Sequence, residues 1–426
     1  MNSIFKYIYH IIVLFFFLFE IRLVGPITTR RISIFIAIIS LFIFRKKFIS
    51  FFRYINRRHF KTGLLLIFGC FLLTCINTFF ITTRLQSNEY LEPWYFVNLL
   101  LYIIVFSFYC VTVFENYKEF AWVIIGCFLI QSVAVFFSVT NDTVRMFLYS
   151  MFYTGADGER EFGDSIEIGS RIMGIALHSS NGSVTCSTCG IVLIYLLMCQ
   201  KIKPLLFYIL FAIIIVTTSF IGRTGVLILL ATLLFYIISS GNRKLIRDTI
   251  FICIFTPIVI YAIVSIMSQL DDRLYNYFSE WMTAPFSDAE RQKTIDKINR
   301  RIPEFSSEFI LGTSVIVGRT PGGAVVSSDS GYVMNYIALG VIGSLMFYVA
   351  MLNFYIMAHI KSNKRRNYLF FVLLIIISFI IEYKEPFMLK YIFPFTIITL
   401  GLFNLKERKH RLNNMVNRKI SRGNSF

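Results

Sequence analysis

Two arginines in this chain each stand eleven positions before a glycine, in polar stretches that separate long apolar runs. Arg171 pairs in this way with Gly182, and Arg301 pairs with Gly312. A guanidinium group presents a planar fork of donors that matches the oxygens of a carboxylate or a phosphate. Positive charge at the edge of a bilayer is costly unless an anion compensates it. The two pairs therefore suggest a site for an anionic substrate that is carried on a lipid.

The elements that must position these residues are membrane helices. The chain is 56% hydrophobic and only 15% charged, whereas soluble domains contain about 25% charged residues. We predict an all-α polytopic membrane protein, a single integral membrane domain over 1–426, with about twelve transmembrane helices of roughly 20 apolar residues each. The apolar runs lie at 5–22, 31–44, 63–82, 94–113, 120–139, 174–200, 205–221, 225–239, 249–267, 332–357, 368–382 and 387–404.

The basic residues set the predicted orientation. They cluster between the second and third runs, in later alternate loops, and in a basic tail at 405–426. Cytoplasmic loops are enriched in Lys and Arg, so both termini are predicted to be cytoplasmic, and the net charge of +18 needs no nucleic-acid partner. Two long periplasmic loops, 140–173 and 268–331, then face the opposite side. Arg58 and Gly69 share the eleven-residue spacing but fall on the cytoplasmic side, so placement distinguishes the other two pairs.

The larger loop is predicted to be partly helical. Ser287 and Glu290 form a capping box that opens a helix. Isoleucines at helical spacing follow, and Pro303 ends the helix. Arg301 then lies in the last helical turn, where the helix dipole favours a cation. Capping of that helix is therefore the structural alternative for Arg301.

Three local patterns accompany the arginines. The first contains Arg171, Gly174, His178, Asn181 and Gly182. The second is the turn Gly222-Arg223-Thr224-Gly225. The third contains Gly312, Gly322, Gly323, Ser328, Asp329, Ser330, Gly331, Tyr332, Gly340 and Gly343. At these residues the chain resembles the O-antigen polymerase (Wzy) family and the related O-antigen ligases. Thr224 departs from the family pattern, which has glycine after the arginine.

The resemblance implies a glycosyltransferase of the bacterial inner membrane. Such an enzyme joins oligosaccharide repeat units, carried on undecaprenyl diphosphate, into O-antigen polysaccharide on the periplasmic face. The implied partners are the lipid-linked oligosaccharide, membrane lipid and a chain-length regulator protein, with no cofactor. Ligases of this kind place a histidine near the end of the large loop. Residues 268–331 contain none, which favours polymerase over ligase.

The residue types suggest distinct roles. Arg171, Arg223 and Arg301 are expected to clamp the diphosphate, because stabilising charge on the leaving group lowers the barrier without a metal. Asp329 is the first choice for a base that accepts the acceptor's hydroxyl proton, although an aspartate here can also cap a helix. Alternative bases are Asp164, His178, Glu304 and Glu308. The residues expected to bind substrate are His178, Asn181, Gly182, Gly312, Arg319 and Tyr332.

Two further functions remain open from the sequence. A flippase or other transporter needs charged residues within its spans, and here such charge is nearly confined to Glu20 and the span edges. A ligase would keep the chemistry and change the acceptor. The eight cysteines lie in apolar runs and are interpreted as helix-packing residues. Cys186 and Cys189 have CxxC spacing but no neighbouring ligand cluster, so no metal site is predicted.

Overall fold

The chain forms two compact units, each assembled from distant parts of the sequence. The first combines Met1–Ile39 with Tyr117–Asp288, and the second combines Ser40–Asn116 with Ala289–Phe426. The computed structural model describes residues 3–24, 27–81, 89–152, 174–175, 179–240, 308–319, 325–326, 330–359, 365–384, 386–389 and 391–423, with single positions between 250 and 292.

Helices dominate the described residues, with a few short strands between them. In chain order the elements are α1 (Ser3–Leu18), β1 (Arg22–Val24), β2 (Ile27–Thr28), α2 (Thr29–Ile43), α3 (Arg45–Phe52), α4 (Arg57–Ile81), β3 (Glu89–Tyr90), α5 (Trp94–Leu99), a π-helical turn (Leu100–Val105), α6 (Phe106–Val113), α7 (Tyr117–Thr140), α8 (Asp142–Phe152), α9 (Ser179–Met198), α10 (Pro204–Ile221), α11 (Arg223–Ser240), α12 (Glu308–Leu311), β4 (Val315–Arg319), β5 (Val325–Val326), α13 (Gly331–His359), α14 (Arg365–Glu382) and α15 (Ile392–Gly423).

The predicted apolar runs coincide with helices, except for 249–267, most of which lies outside the described residues. Five helices in the described part of the chain are long and apolar enough to cross a membrane. Many of their large apolar side chains are exposed, Phe79 by 75% for example, as expected of a lipid-facing surface. The prediction of an all-α membrane protein is therefore confirmed. The count of twelve spans stays a prediction.

Local chemistry sets several helix boundaries. Pro204 is the first residue of α10, where its missing N–H costs nothing. The Asn141 side-chain oxygen accepts the N–H groups of Thr143 and Val144 at 2.9 and 3.2 Å and so caps α8. Helix α8 therefore occupies part of the predicted loop 140–173. The last apolar run starts late, at Ile392, because Tyr391 has a φ of +66° that interrupts the helix.

Two ion pairs in the first unit join charged side chains near helix ends. The Lys6 ammonium is 2.8 Å from the Glu119 carboxylate, and the Arg30 guanidinium is 2.6 Å from that of Glu20. Helix α1 ends at Leu18, before the short β1–β2 hairpin. The sequence interpretation had Glu20 within the first apolar run. In the structure it lies beyond the helix, where Arg30 compensates its charge.

In the second unit, α4 and α13 pack closely through small residues. A Cβ on Gly63 would meet the Phe354 ring, and a Cβ on Gly343 would lie 2.8 Å from Leu73. The Cys70 thiol donates a hydrogen bond to the Gly343 carbonyl over 3.4 Å. Membrane helices attract one another mainly by van der Waals contact, which small residues permit at short range. The glycine spacing Gly340-x-x-Gly343 thus has a packing function on α13.

Contacts in the second unit assign its connecting segments to two sides. At one end, β3 pairs with β4 and β4 pairs with β5, which places the α4–α5 connection beside the end of the large loop. At the other end, Lys406 donates hydrogen bonds to the carbonyls of Val111 and Phe114. This grouping agrees with the alternation of loops that the sequence predicts. Which end faces the cytoplasm stays a prediction.

The sidedness can be tested with single cysteines in a variant that lacks the natural ones. We expect Leu311→Cys, at an exposed position beside β4, to react with a membrane-impermeant maleimide added to intact spheroplasts. We expect His410→Cys, at the other end of the unit, to react only after permeabilisation. Labelling of both positions from the same side would contradict the topology, and the reverse pattern would invert it.

Candidate functional site

The first and second motifs meet in the first unit. A Cβ on Gly225, near the start of α11, would overlap the carbonyl oxygen of Ser183 and approach the Thr218 side chain to 2.6 Å. Ser183 directly follows Gly182, and both are buried in the first turns of α9. The absence of a side chain on Gly225 therefore lets the Arg223 turn lie against Ser183, the residue that follows the glycine of the first arginine pair.

The Arg223 turn needs no glycine directly after the arginine, where Thr224 stands. Helix α11 begins at Arg223, so Thr224 is already helical, and its side chain is buried. A helical backbone is accessible to every residue other than proline at little cost. The departure of Thr224 from the family pattern is therefore compatible with the local structure. Gly225 is the position that steric contact restricts.

Gln131 holds the start of the first motif. Its side-chain oxygen accepts the N–H of Ile175 over 3.0 Å, and its amide nitrogen would lie 2.8 Å from a Cβ on Gly174. Gly174 has a φ of +58°, which glycine adopts without strain. Gln131 is fully buried on α7. The sequence placed the sixth helix from 174 onwards, but this left-handed turn delays the helix to Ser179.

In the second unit, the glycine of the second arginine pair crosses α13 at a break in that helix. Gly312 has a φ of +84° and Gly340 a φ of +69°. A Cβ on Gly312 would overlap the backbone of Leu339 and Gly340, and a Cβ on Gly340 would overlap that of Leu311 and Gly312. Both positions thus require glycine for two reasons. The backbone is left-handed at each, and the two main chains are in direct contact.

The residues after Gly312 satisfy hydrogen-bonding groups that the break exposes. Gly340 lies in non-helical conformation inside α13, so carbonyls in the turn before it lose helical donors. The Thr313 N–H donates to the Ile337 carbonyl over 2.9 Å, and the Ser314 N–H donates to the Ala338 carbonyl over 2.8 Å. A buried backbone carbonyl without a hydrogen-bond partner costs several kcal/mol, roughly. The loop segment and the broken helix therefore stabilise each other.

A buried carboxylate lies near this crossing, at the end of α14. The Glu382 side chain has no solvent exposure. Its Oε2 accepts the Met388 N–H over 2.8 Å, and its Oε1 accepts bonds from Asn335 and Tyr348 over 3.3 and 3.4 Å. A Cβ on Gly331 would lie 2.5 Å from Oε1. Glu382 therefore fixes the first turns of α13 and the turn that leads to α15.

Tyr332, a predicted substrate-binding residue, belongs to the same group of side chains. Its hydroxyl donates a hydrogen bond to the Phe379 carbonyl over 2.7 Å, and its ring centre is 5.2 Å from that of Tyr348. The hydroxyl thus ties the start of α13 to α14. The ring of Tyr332 is half-buried.

Several predicted site residues lie outside the described residues: Asp164, Arg171, His178, Arg301, Glu304 and Asp329. The helix predicted after Ser287 lies there too. The backbones of Asn181, Arg223 and Arg319 are described, in α9, α11 and the last position of β4, but their side chains are not. Gly182, Gly312 and Tyr332 are the predicted site residues whose surroundings the structure describes. Glu308, another alternative base, is the first residue of α12.

The sequence interpretation missed Gln131, Asn335 and Glu382. Each is a polar side chain within, or at the end of, an otherwise apolar run, and each is buried. Such residues are costly in a membrane unless they are bonded, and that was the available signal. Among the described residues, no group of three or more His, Cys, Asp and Glu side chains could hold a metal ion. The described cysteines, Cys186 and Cys189 included, are free thiols.

Comparison with known proteins finds no relative of this chain. No protein-family model, no curated protein and no solved structure matches the chain.

The glycine crossing predicts a contrast between two alanine substitutions. Gly312→Ala places a side chain against backbone and strains a left-handed residue, which costs about 1–3 kcal/mol for the backbone conformation alone. Gly69→Ala, in the third arginine–glycine pair, meets only the flexible end of Met346. We expect thermal unfolding of the purified protein in detergent to show a clearly lower midpoint for Gly312→Ala and little change for Gly69→Ala. Equal midpoints would contradict the crossing.

The buried carboxylate predicts a graded response. Glu382→Ala removes the acceptor of the Met388 N–H, and a buried unpaired donor costs about 1–3 kcal/mol. Glu382→Gln keeps an oxygen at that place, so we expect a smaller loss. The control is Glu92→Ala, an exposed carboxylate in the same unit. The same detergent unfolding assay ranks the variants. If Glu382→Ala unfolds at the wild-type temperature, Glu382 does not organise this end of the unit.

Proposed function

We propose that this protein polymerises oligosaccharide repeat units carried on undecaprenyl diphosphate, as a glycosyltransferase on the periplasmic face of the bacterial inner membrane. The resemblance of three ordered motifs to those of O-antigen polymerases supports the proposal. One observation carries it, the contrast between the glycines of the three arginine–glycine pairs. Gly312 is in direct backbone contact with α13, and Gly182 precedes Ser183, whose carbonyl a Cβ on Gly225 would overlap, whereas Gly69 lies inside α4 against one flexible side chain.

The proposed reaction transfers the growing chain to a fresh lipid-linked unit. The bond between the anomeric carbon of the growing chain and its diphosphate oxygen breaks. A hydroxyl at the non-reducing end of the fresh unit forms the new glycosidic bond, and its proton passes to a carboxylate, with Asp329 as first candidate. The bonding electron pair leaves with undecaprenyl diphosphate. Arg171, Arg223 and Arg301 stabilise the negative charge that grows on this leaving group.

Described residues close in sequence to each arginine are held by specific contacts. Gly225 sets the Arg223 turn against Ser183, and Gln131 holds the turn three residues after Arg171. The Gly312 crossing anchors the chain eleven residues after Arg301. Preorganised charges stabilise a transition state better than mobile ones, since no reorganisation is needed during the reaction. A chain-length regulator protein stays a proposed partner on the basis of the resemblance alone.

A deletion strain complemented with variants tests the function through its lipopolysaccharide profile on gels. We expect the deletion strain to carry a single repeat unit, and Arg171→Ala, Arg223→Ala and Arg301→Ala to leave it so. Loss of one such charge lowers a rate by about a hundredfold or more. Lysine at these positions is expected to rescue poorly, because a point charge does not replace a planar fork.

Arg58→Ala is the matched control, because Arg58 belongs to the third pair and is exposed at the other predicted side. It should restore long chains. Inserted protein is measured for every variant by immunoblot of membranes. A deletion strain without any repeat units would point instead to a flippase or a ligase. A normal ladder for Arg301→Ala would assign that arginine to helix capping.

A further inference from the structure

A basic cavity lies at the opposite end of the second unit from the glycine crossing. Its volume is about 360 Å³, and it is enclosed by α3, the end of α6 and the middle of α15. The residues that line it are Lys47, Ser50, Phe51, Val111, Thr112, Val113, Glu115, Lys406, Lys409 and His410. Three of the lining side chains are lysines and one is a carboxylate, so the lining carries net positive charge.

Two of the lysines stand one helical turn apart on α15, and each donates hydrogen bonds to residues outside that helix. The Lys406 ammonium donates to the carbonyls of Val111 and Phe114 over 2.8 and 2.6 Å. The Lys409 ammonium donates to the carbonyl and the hydroxyl of Ser50 over 3.0 and 2.7 Å. An ammonium group has three N–H donors; Ser50 accounts for two of those on Lys409, and the same nitrogen lies 4.5 Å from the centre of the Tyr54 ring.

The cavity holds two signs of an incomplete polar environment. Burial lowers the pKa of Lys409, because desolvation disfavours its charged form. The Thr112 hydroxyl, buried in the same lining, has no hydrogen-bond partner among the described residues. An anion with several acceptor oxygens would compensate the lysine charge and accept from this hydroxyl. Phosphate groups have that character.

We propose that this cavity binds the phosphate headgroup of an anionic phospholipid from the adjacent leaflet. Phe51, Val111 and Val113 give the cavity an apolar side, which suits the glycerol and acyl portion of a lipid better than a free ion. The basic clusters of the sequence predict that this end faces the cytoplasm, where anionic lipids attract such residues. Basic pockets between membrane helices on that side are known to hold anionic headgroups. The proposal does not depend on the polymerase activity.

The test uses the full-length purified protein in detergent and follows its thermal unfolding during lipid titration. The probes are dioleoylphosphatidylglycerol, dioleoylphosphatidylcholine and inorganic phosphate. We expect phosphatidylglycerol to raise the unfolding temperature with saturation, and the other two to have little effect. Lys409→Gln should weaken this apparent affinity about fivefold, the usual effect of one basic residue near a lipid surface. Lys409→Arg should retain it.

Lys47→Gln is the second variant, because Lys47 lines the cavity yet its described contact is only a 5.5 Å approach to the Phe44 ring. It should weaken the lipid response even if Lys409→Gln impairs folding. Lys46→Gln, an exposed neighbour that does not line the cavity, is the matched control and should respond as the wild type does. Equal responses to both lipids, or equal responses of Lys47→Gln and Lys46→Gln, would overturn the proposal. Saturable stabilisation by inorganic phosphate would assign the cavity to a free anion instead.

Discussion

The contact between the main chains of Gly312 and Gly340 is the interaction on which the second unit depends. Helix α13 is interrupted at Gly340, and an interrupted helix in a bilayer needs donors for the carbonyls it exposes. Thr313 and Ser314 supply them. Their approach is possible because neither glycine carries a side chain. A membrane helix and the segment that follows α12 are thereby joined by backbone hydrogen bonds.

The surrounding structure extends from this crossing in two directions. Towards the loop, the Leu91 N–H donates to the Ser314 carbonyl, and β3, β4 and β5 follow as one small sheet. Phe309 and Val315, on either side of Gly312 in sequence, pack in a buried cluster with residues of α13. Towards the start of α13, Glu382 and Tyr332 hold the helix to α14. The chain between β4 and α13 is therefore attached at both ends.

The sequence predicts the helices well, because a lipid environment forces long apolar segments to satisfy their backbone internally. It predicts less where distant segments meet. The sequence places Gly340 in the third motif, but only the crossing of Gly312 explains its left-handed backbone. The pairing of β3 with β4 joins residues more than two hundred positions apart, beyond any local pattern. Glu382 closes an apolar run as a charged residue often does, so its burial depends on partners that spacing cannot identify.

Hydrogen–deuterium exchange of the purified protein tests the crossing most directly. The amides of Thr313 and Ser314 lie in a segment without regular secondary structure, so ordinary loop residues there would exchange within seconds. The account predicts that both amides are protected as strongly as those of α13, and that Gly340→Ala removes the protection while α4 stays protected. Rapid exchange of both amides in the wild-type protein would contradict the anchoring of this segment to the broken helix.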